Sequence, residues 1–493
     1  FAQTVESPEA KAAQHLFSSH AVLGRPLPFF SKGVLNWATT TSVRRLVVVG
    51  FNNPSVVVVA LLLRTGVSVT IMNRDGETSR RMQEAVRLEL ESSLRSHSAA
   101  AEEMKKCFAN LSTIHCTDDL HAALRGVNAV LDCADEPLDV RLEMLTRLNR
   151  ACSEECVVLA CHPSYTVEDA AMACNWPPEK VVGMPLVFPP NTSSFLEVVQ
   201  GKRTDHATVR CAIDVGALLH KVVITTRCSS VSFIERLLCV MLYQALAMLE
   251  QGALPMRIDS ALKRFGFRAG ILALDDLVGV SRTAEILSTL HKQKERDGMC
   301  VQIPPADVAT IHNRLIDVGR LGQVIGRGWY TYEPNSVIDQ TRAALCRLVG
   351  STSGKEGGLR AAGVPSCKIP HPDRSVELIV LDVCQEKKIM RRHVSDKEIV
   401  ERIVFAAVNE TVILLSGGAI SSSAAADIAT VFGLGFPAWR GGLCYFADKF
   451  GLQNIDQRMR IYNRSSGDAL FPQPCGELQR LAALQETFQS TWP

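Results

Sequence analysis

Residues 44–74 read RRLVVVGFNNPSVVVVALLLRTGVSVTIMNR. Arg44–Gly50 is a short β-branched run that ends on glycine, Pro54–Thr65 has the composition of a buried helix, and Gly66–Arg74 is a second β-branched run. A strand, a tight turn, a helix and a second strand in about 30 residues make one crossover unit of a parallel sheet. The same alternation continues through NAVLDCA, CVVLAC, VVGMPLVF and KVVITT, with a long helical region at Glu77–Lys106. It predicts an α/β, Rossmann-like, doubly wound domain over residues 44–226.

Beyond about Thr226 the β-branched runs thin out and helical periodicity takes over. Here the chain repeats. Glu235-Arg-Leu-Leu leads through ALAMLEQGA to ALKRFGF and LDDLVG, while Glu401-Arg-Ile-Val leads through VILLSGGA to ATVFGLGFP and YFAD. A repeat of this size predicts two all-α units of common architecture that pack against each other, over 227–335 and 376–493. Residues 336–375 contain GSTSGKEGG and read as a linker. Residues 1–43 carry Ser7 and Pro8, a helix start, followed by a proline-containing tail, and read as a connecting helix.

The chain has 493 residues, 47% apolar and 21% charged, with a net charge of +2. That composition suits globular domains with sizeable cores and gives no reason to expect nucleic acid or an anionic membrane as partner. Its 16 cysteines show neither a C-x-x-C pair nor Cys/His clusters at zinc spacing, so no metal site is expected and a reducing compartment fits. No apolar run reaches transmembrane length. The first residue is Phe1, which reads as a processed or partial chain, and the last residues, Ser490 to Pro493, are not a peroxisomal S-K-L address.

Several separated motifs, in order, resemble the dehydrogenase part of the multifunctional fatty-acid β-oxidation proteins, which fuse an enoyl-CoA hydratase to a 3-hydroxyacyl-CoA dehydrogenase. They are Val181–Gly201 (VVGMPLVFPPNTSSFLEVVQG), Leu321–Tyr332 (LGQVIGRGWYTY), Ser395–Arg402 (SDKEIVER) and Gly433–Gly442 (GLGFPAWRGG). The resemblance implies a mechanism in which a histidine takes the proton from a 3-hydroxyl while hydride passes to NAD, with a glutamate orienting the imidazole. Laid on that pattern, the glutamate is Glu197 and the histidine position is Pro185. Ser164 matches the serine that contacts the substrate oxygen, His162 is the nearest candidate for a relocated base, and the substrate-side asparagine is Glu235.

The dinucleotide site departs in the same way. Where the family has G-x-G-x-x-G, this chain has Gly50-Phe-Asn52-Asn-Pro-Ser55, and the acid for the ribose hydroxyl is Asn73, followed by Arg74. The second glycine lets backbone approach the pyrophosphate and the third lets helix and strand pack closely. NAD, or NADP with Arg74 on a 2′-phosphate, is the cofactor the resemblance implies; the altered loop equally suits none.

Three readings follow. The first is a catalytically impaired pseudoenzyme that serves as a binding or scaffold subunit with protein partners in a larger assembly. The second is a divergent NAD(P)-dependent dehydrogenase using His162 or Glu197 as base, and the third an acyl-CoA-binding protein without turnover. The resemblance places such a chain in mitochondria or, alternatively, a peroxisome-like organelle.

Overall fold

The computed structural model describes residues 7–22, 43–94, 100–115, 120–134, 138–161, 167–173, 175–187, 191, 193–227, 231–297, 310–332, 370–467 and 470–493. They fall into two compact units. One holds the described residues between 43 and 227, and the other those at 7–22, 231–332 and 370–493.

The first unit is built on an eight-stranded sheet: β1 Arg45–Val49, β2 Ser68–Asn73, β3 Leu111–His115, β4 Ala129–Asp132, β5 Val157–Ala160, β6 Val181–Gly183, β7 Phe195–Val199 and β8 Val222–Thr226, in spatial order β3-β2-β1-β4-β5-β6-β7-β8. All neighbours are parallel except β6 and β7. The central strands are apolar along their whole length because helices cover both faces, and Leu46, Val48, Ala129, Leu131 and Leu159 enter one core. Helix α2, Asn53–Arg64, follows β1; α3 Gly76–Leu94 and α4 Ala100–Ala109 follow β2; α5 Leu120–Ala123, α6 Leu138–Ala151, α7 Val167–Ala173 and α8 His206–Leu218 precede β4, β5, β6 and β8 respectively. The Rossmann-like expectation is met. Its details shift in two places: β3 is a largely polar strand that the apolar pattern does not mark, and only Val181–Gly183 of the run VVGMPLVF is a strand. Pro185 falls directly beyond it and has no N–H to give to a ladder.

Strand β1 has β2 on one side and β4 on the other, so the sheet reverses its winding at the carboxyl end of β1. In doubly wound sheets that is where ligands bind. Gly50 sits there with φ of +90°, and a Cβ on it would meet Ala134 Cα at 2.4 Å. The first glycine of the fingerprint is thus required by packing alone.

The second unit is helical and duplicated. In the first copy α9 Phe233–Gln251, α10 Pro255–Phe265, α11 Ile271–Val278 and α12 Val280–Asp297 follow one another; α13 Thr310–Asp317 and β9 Tyr330–Tyr332 close it. Then β10 Pro370–Pro372 pairs with β9, and α14 Arg374–Glu386 leads into the second copy: α15 Asp396–Ser416, α16 Ser423–Gly433, α17 Leu443–Phe450, α18 Leu452–Ser466, α19 Gly476–Leu484 and α20 Phe488–Thr491. Helices α9 and α15 pack together, and every residue of α9 is buried.

Matching aspartates organise each copy. Asp259 on α10 accepts hydrogen bonds from the Leu272 and Ala273 N–H groups at the start of α11, both at 3.0 Å. Asp427 on α16 does the same for Cys444 and Tyr445 on α17, at 2.6 and 3.2 Å. Helix starts leave donors without intrahelical partners, so a buried carboxylate there stabilises the turn. Burial pushes both carboxyls up, to about 6. A Cβ on Gly270 would lie 2.0 Å from Asp259 Cγ, and one on Gly442 2.5 Å from Asp427 Cγ. A second pair sits on α11 and α17: Asp276 accepts the Trp329 and Tyr330 N–H groups at 2.7 and 3.0 Å, and Asp448 those of Phe488 and Gln489 at 2.8 and 3.2 Å.

The amino-terminal helix α1, Pro8–Val22, belongs to this unit. Ser7 Oγ accepts the Ala10 N–H at 3.1 Å, as a capping serine does. His15 on α1 bonds Asp427 at 2.7 Å and stacks on Tyr445.

Candidate active site

The loop after β1 is closed by its own side chain. Asn52 is buried, with Oδ1 accepting the Ser55 N–H at 2.9 Å and Nδ2 donating to the Cys133 carbonyl, at the end of β4, at 2.5 Å. Ser55 Oγ returns to the Asn52 N–H at 3.0 Å, which completes a capping box. Of the first three residues of α2, Pro54 has no N–H and the Ser55 N–H is consumed by Asn52. A dinucleotide pyrophosphate binds such a loop through free N–H groups at the helix start and through the absence of a side chain at the second glycine. The residues present do not fit that group.

At the end of β2, Asn73 is fully buried and its amide lies 3.6 Å from Met82 Sδ, while Arg74 is exposed. An acid in that place would meet a ribose hydroxyl; Asn73 instead faces α3 from within the sheet. Beside the loop, Asp132 at the end of β4 is held by Arg141 of α6 through bonds of 2.6 to 2.9 Å between two buried side chains.

Glu197 and Pro185 lie at one end of the same sheet. Strand β6 pairs with β7 at Gly183↔Val199; Pro185 lies two residues beyond that pair on one segment, and Glu197 two residues before it on the other. Pro185 is buried. Glu197 is also buried, and its Oε1 accepts the Thr226 hydroxyl of β8 at 2.6 Å. Pro185 has no titratable atom, and the Glu197 carboxylate is hydrogen-bonded within the sheet. His162 and Ser164 lie outside the described residues.

Glu235 stands at the head of α9 in the helical unit. Its backbone N–H donates to Ser232 Oγ at 3.3 Å, and its Oε2 accepts the Ser232 N–H at 3.0 Å, so the carboxylate acts as the acid of a capping box. Burial pushes its pKa up, and the nearby Arg282 guanidinium on α12 pulls it back down. Arg282 is absent from the motifs read in the sequence, because the contact joins positions 47 apart and nothing in SRTAEIL marks it. Thr226, the partner of Glu197, was equally unmarked inside KVVITT. Among the described residues no cluster of His, Cys, Asp or Glu could hold a metal ion, and no helix is long and apolar enough to cross a membrane.

The sheet order, with its switch point at the carboxyl end of β1, defines a protein of the Rossmann-type doubly wound class. Residues 46–229 match the model for the 3-hydroxyacyl-CoA dehydrogenase NAD binding domain, and residues 233–332 the model for the 3-hydroxyacyl-CoA dehydrogenase C-terminal domain. The chain belongs to the 3-hydroxyacyl-CoA dehydrogenase family, and NAD is the dinucleotide that family's domain implies. It is 26% identical over 488 residues to a peroxisomal bifunctional enzyme of Danio rerio, covering 97% of this chain and 61% of that one. It is 24% identical to a fatty acid oxidation complex subunit alpha of Shewanella, covering 77% of this chain and 47% of that one. The chain thus spans about half to three-fifths of the length of these relatives. Among solved structures it resembles the Escherichia coli K12 3-hydroxybutyryl-CoA dehydrogenase, at a TM-score of 0.67 and 19% identity over 90% of this chain and 99% of that one. The dehydrogenase part of multifunctional enzyme 1 from C. elegans matches at a TM-score of 0.54 and 17% identity, over 94% and 98% of the two chains. At such identities these likenesses establish the fold.

Proposed function

We propose that this chain is a catalytically impaired 3-hydroxyacyl-CoA dehydrogenase-like protein, a pseudoenzyme that acts as a binding or scaffold subunit in fatty-acid oxidation. The observation that carries this reading is the residue at position 185: the motif Val181–Gly201 keeps the buried Glu197, and where the family resemblance expects its histidine it has Pro185, which has no proton to exchange. Loss of a positioned acid or base costs about 10²–10⁴-fold in rate. The Asn52 cap adds to it, since the Ser55 N–H is spent on the Asn52 side chain and Pro54 has no N–H to give. Ser164 remains the residue we assign to a substrate oxygen, Glu235 the altered substrate-side position, and Gly50, Asn52, Ser55, Asn73 and Arg74 the altered cofactor positions.

A second reading is a divergent dehydrogenase that oxidises a 3-hydroxyacyl-CoA with NAD or NADP. It is favoured by the retained, buried Glu197 and requires Glu197 or His162 to serve as base. A chain that holds an acyl-CoA without turnover is the intermediate case. Relatives named as peroxisomal enzymes and as a complex subunit support a peroxisome-like organelle over mitochondria, and protein partners over a solitary chain.

The deciding assay is oxidation of NADH, and separately NADPH, by the purified chain with acetoacetyl-CoA. The impaired reading predicts no rate above the protein-free blank. A rate that saturates with acetoacetyl-CoA and falls in Glu197→Ala would establish the dehydrogenase reading instead.

A further inference from the structure

The two helical copies give one position an internal control. Glu401 on α15 is the repeat counterpart of Glu235. Its carboxylate is satisfied on both oxygens, by the Arg458 guanidinium and by the Tyr462 hydroxyl at 2.7 Å, both from α18. In the first copy the corresponding helix, α12, brings Ile286 and Leu290 to that neighbourhood, and these join an apolar cluster with Val231 and Cys239. Glu235 therefore lacks the closing partners that Glu401 has. Its Oε1, in a side chain with 1% exposure, has no hydrogen-bond partner among the described residues. Nor do Arg282 Nε and Nη2, although both atoms are shielded from solvent.

The atoms left open on Arg282 are informative. Nε and Nη2 form the edge of the guanidinium whose two N–H bonds run parallel, the geometry that matches the two oxygens of a carboxylate. Arg282 is close enough to Glu235 for its charge to act on the carboxyl, yet no hydrogen bond joins them. A carboxylate that neutralised Arg282 would sit near a second carboxyl, which is tolerable only when that carboxyl carries a proton and donates it.

We propose that Glu235 and Arg282 form a carboxylate-binding subsite at the head of the first helical copy, in which the Arg282 edge holds both ligand oxygens and the acid form of Glu235 donates to one of them. Nothing in this subsite requires a dinucleotide or an acyl-CoA thioester. Burial of Glu235 already raises its proton affinity, so protonation on binding is inexpensive. The charged neighbour acting on Glu235 is Arg282 from α12; Cys239, one turn along α9, has its thiol pushed up by burial first and then by the Glu235 and Asp275 charges, which keeps it neutral. Affinity therefore rises as pH falls through the Glu235 titration, by up to about tenfold per pH unit for one proton taken up.

The test uses the whole chain without cofactor, with butyrate and butyramide as probes in ligand-observed NMR and calorimetry. Butyrate is expected to bind more tightly as pH is lowered, and butyramide at least about tenfold more weakly than butyrate. Arg282→Met should abolish butyrate binding; Arg282→Lys, which keeps the charge and loses the edge, should weaken it and serves where the methionine variant does not fold. Glu235→Gln keeps a donor and should bind butyrate with no pH dependence. Glu401→Gln should bind as the unaltered chain does. Equal binding of butyrate and butyramide, butyrate binding unaffected by either Arg282 substitution, or no butyrate binding at all would overturn the proposal.

Discussion

Asp259 and Asp427 hold matching places in the two helical copies, and each caps the next helix, yet their third partners come from unrelated stretches of chain. Asp259 takes the Tyr330 hydroxyl of β9 at 2.9 Å, and Asp427 takes His15 of the amino-terminal helix. The second pair repeats the lesson, with β9 supplying the donors to Asp276 and α20 supplying those to Asp448. At the interface of α9 and α15, Arg236 meets Glu410 while Arg402 meets Gln244, with Nε at 3.2 Å from its oxygen; these too are counterpart positions across the repeat. The duplicated helices preserve the acceptors, and each copy recruits whatever segment passes nearby to close them. Helix α1, which reads as a mere connector in sequence, is in this sense the closing element of the second copy.

Substitutions at the glycines should break the comparison most severely. Gly270→Ala and Gly442→Ala each drive a methyl group into an aspartate, and at Gly442 the φ of +102° adds backbone strain. Each should cost roughly 3 kcal/mol or more in denaturant unfolding. A large loss at one glycine and none at the other would mean that the two aspartates are not equivalent.

Charge at the α9–α15 interface comes next. Glu410→Gln leaves the Arg236 guanidinium buried beside a neutral amide, with an expected loss of about 3 kcal/mol. Gln244→Glu places a carboxylate beside Arg402, whose own pKa burial lowers to about 10. That change should cost less than the first, and equal losses in equilibrium unfolding would show that the charge asymmetry has no energetic content.

The smallest effects belong to the recruited partners. Tyr330→Phe leaves Asp259 one donor short in a buried setting and should cost about 1–3 kcal/mol. His15→Ala removes a side chain that is 13% exposed and should cost about 1 kcal/mol. It should also loosen α1 to limited proteolysis, whereas Tyr330→Phe should not. Equal protease resistance of α1 in both variants would remove His15 as its clasp.

Much of this was legible in the chain. The run RRLVVVG, the glycine after it and the next β-branched run were sufficient for the parallel sheet, because buried strands in such sheets are apolar on both faces. The altered cofactor loop was visible as Asn52 and Pro54, since the residue types themselves carry the consequence. What could not be read was pairing at a distance. LSTIH gives no apolar signal for β3, because its pattern of burial is mostly partial. The grip of His15 on Asp427 spans 412 residues, and the approach of Arg282 to Glu235 depends on how two helices meet. Gly270 and Gly442 did carry a signal, each a small residue just before a helix, but only the structure shows the carboxylate that demands it.

The central claim is that this family member has closed its dinucleotide site from within, and a titration with NADH followed by nicotinamide fluorescence tests it most directly. The unaltered chain should give no saturable signal at millimolar NADH, while Asn52→Gly, which frees the Ser55 N–H and the space beside it, should gain measurable binding. Saturation of the unaltered chain at micromolar NADH would contradict the account and restore the chain to the working dehydrogenases.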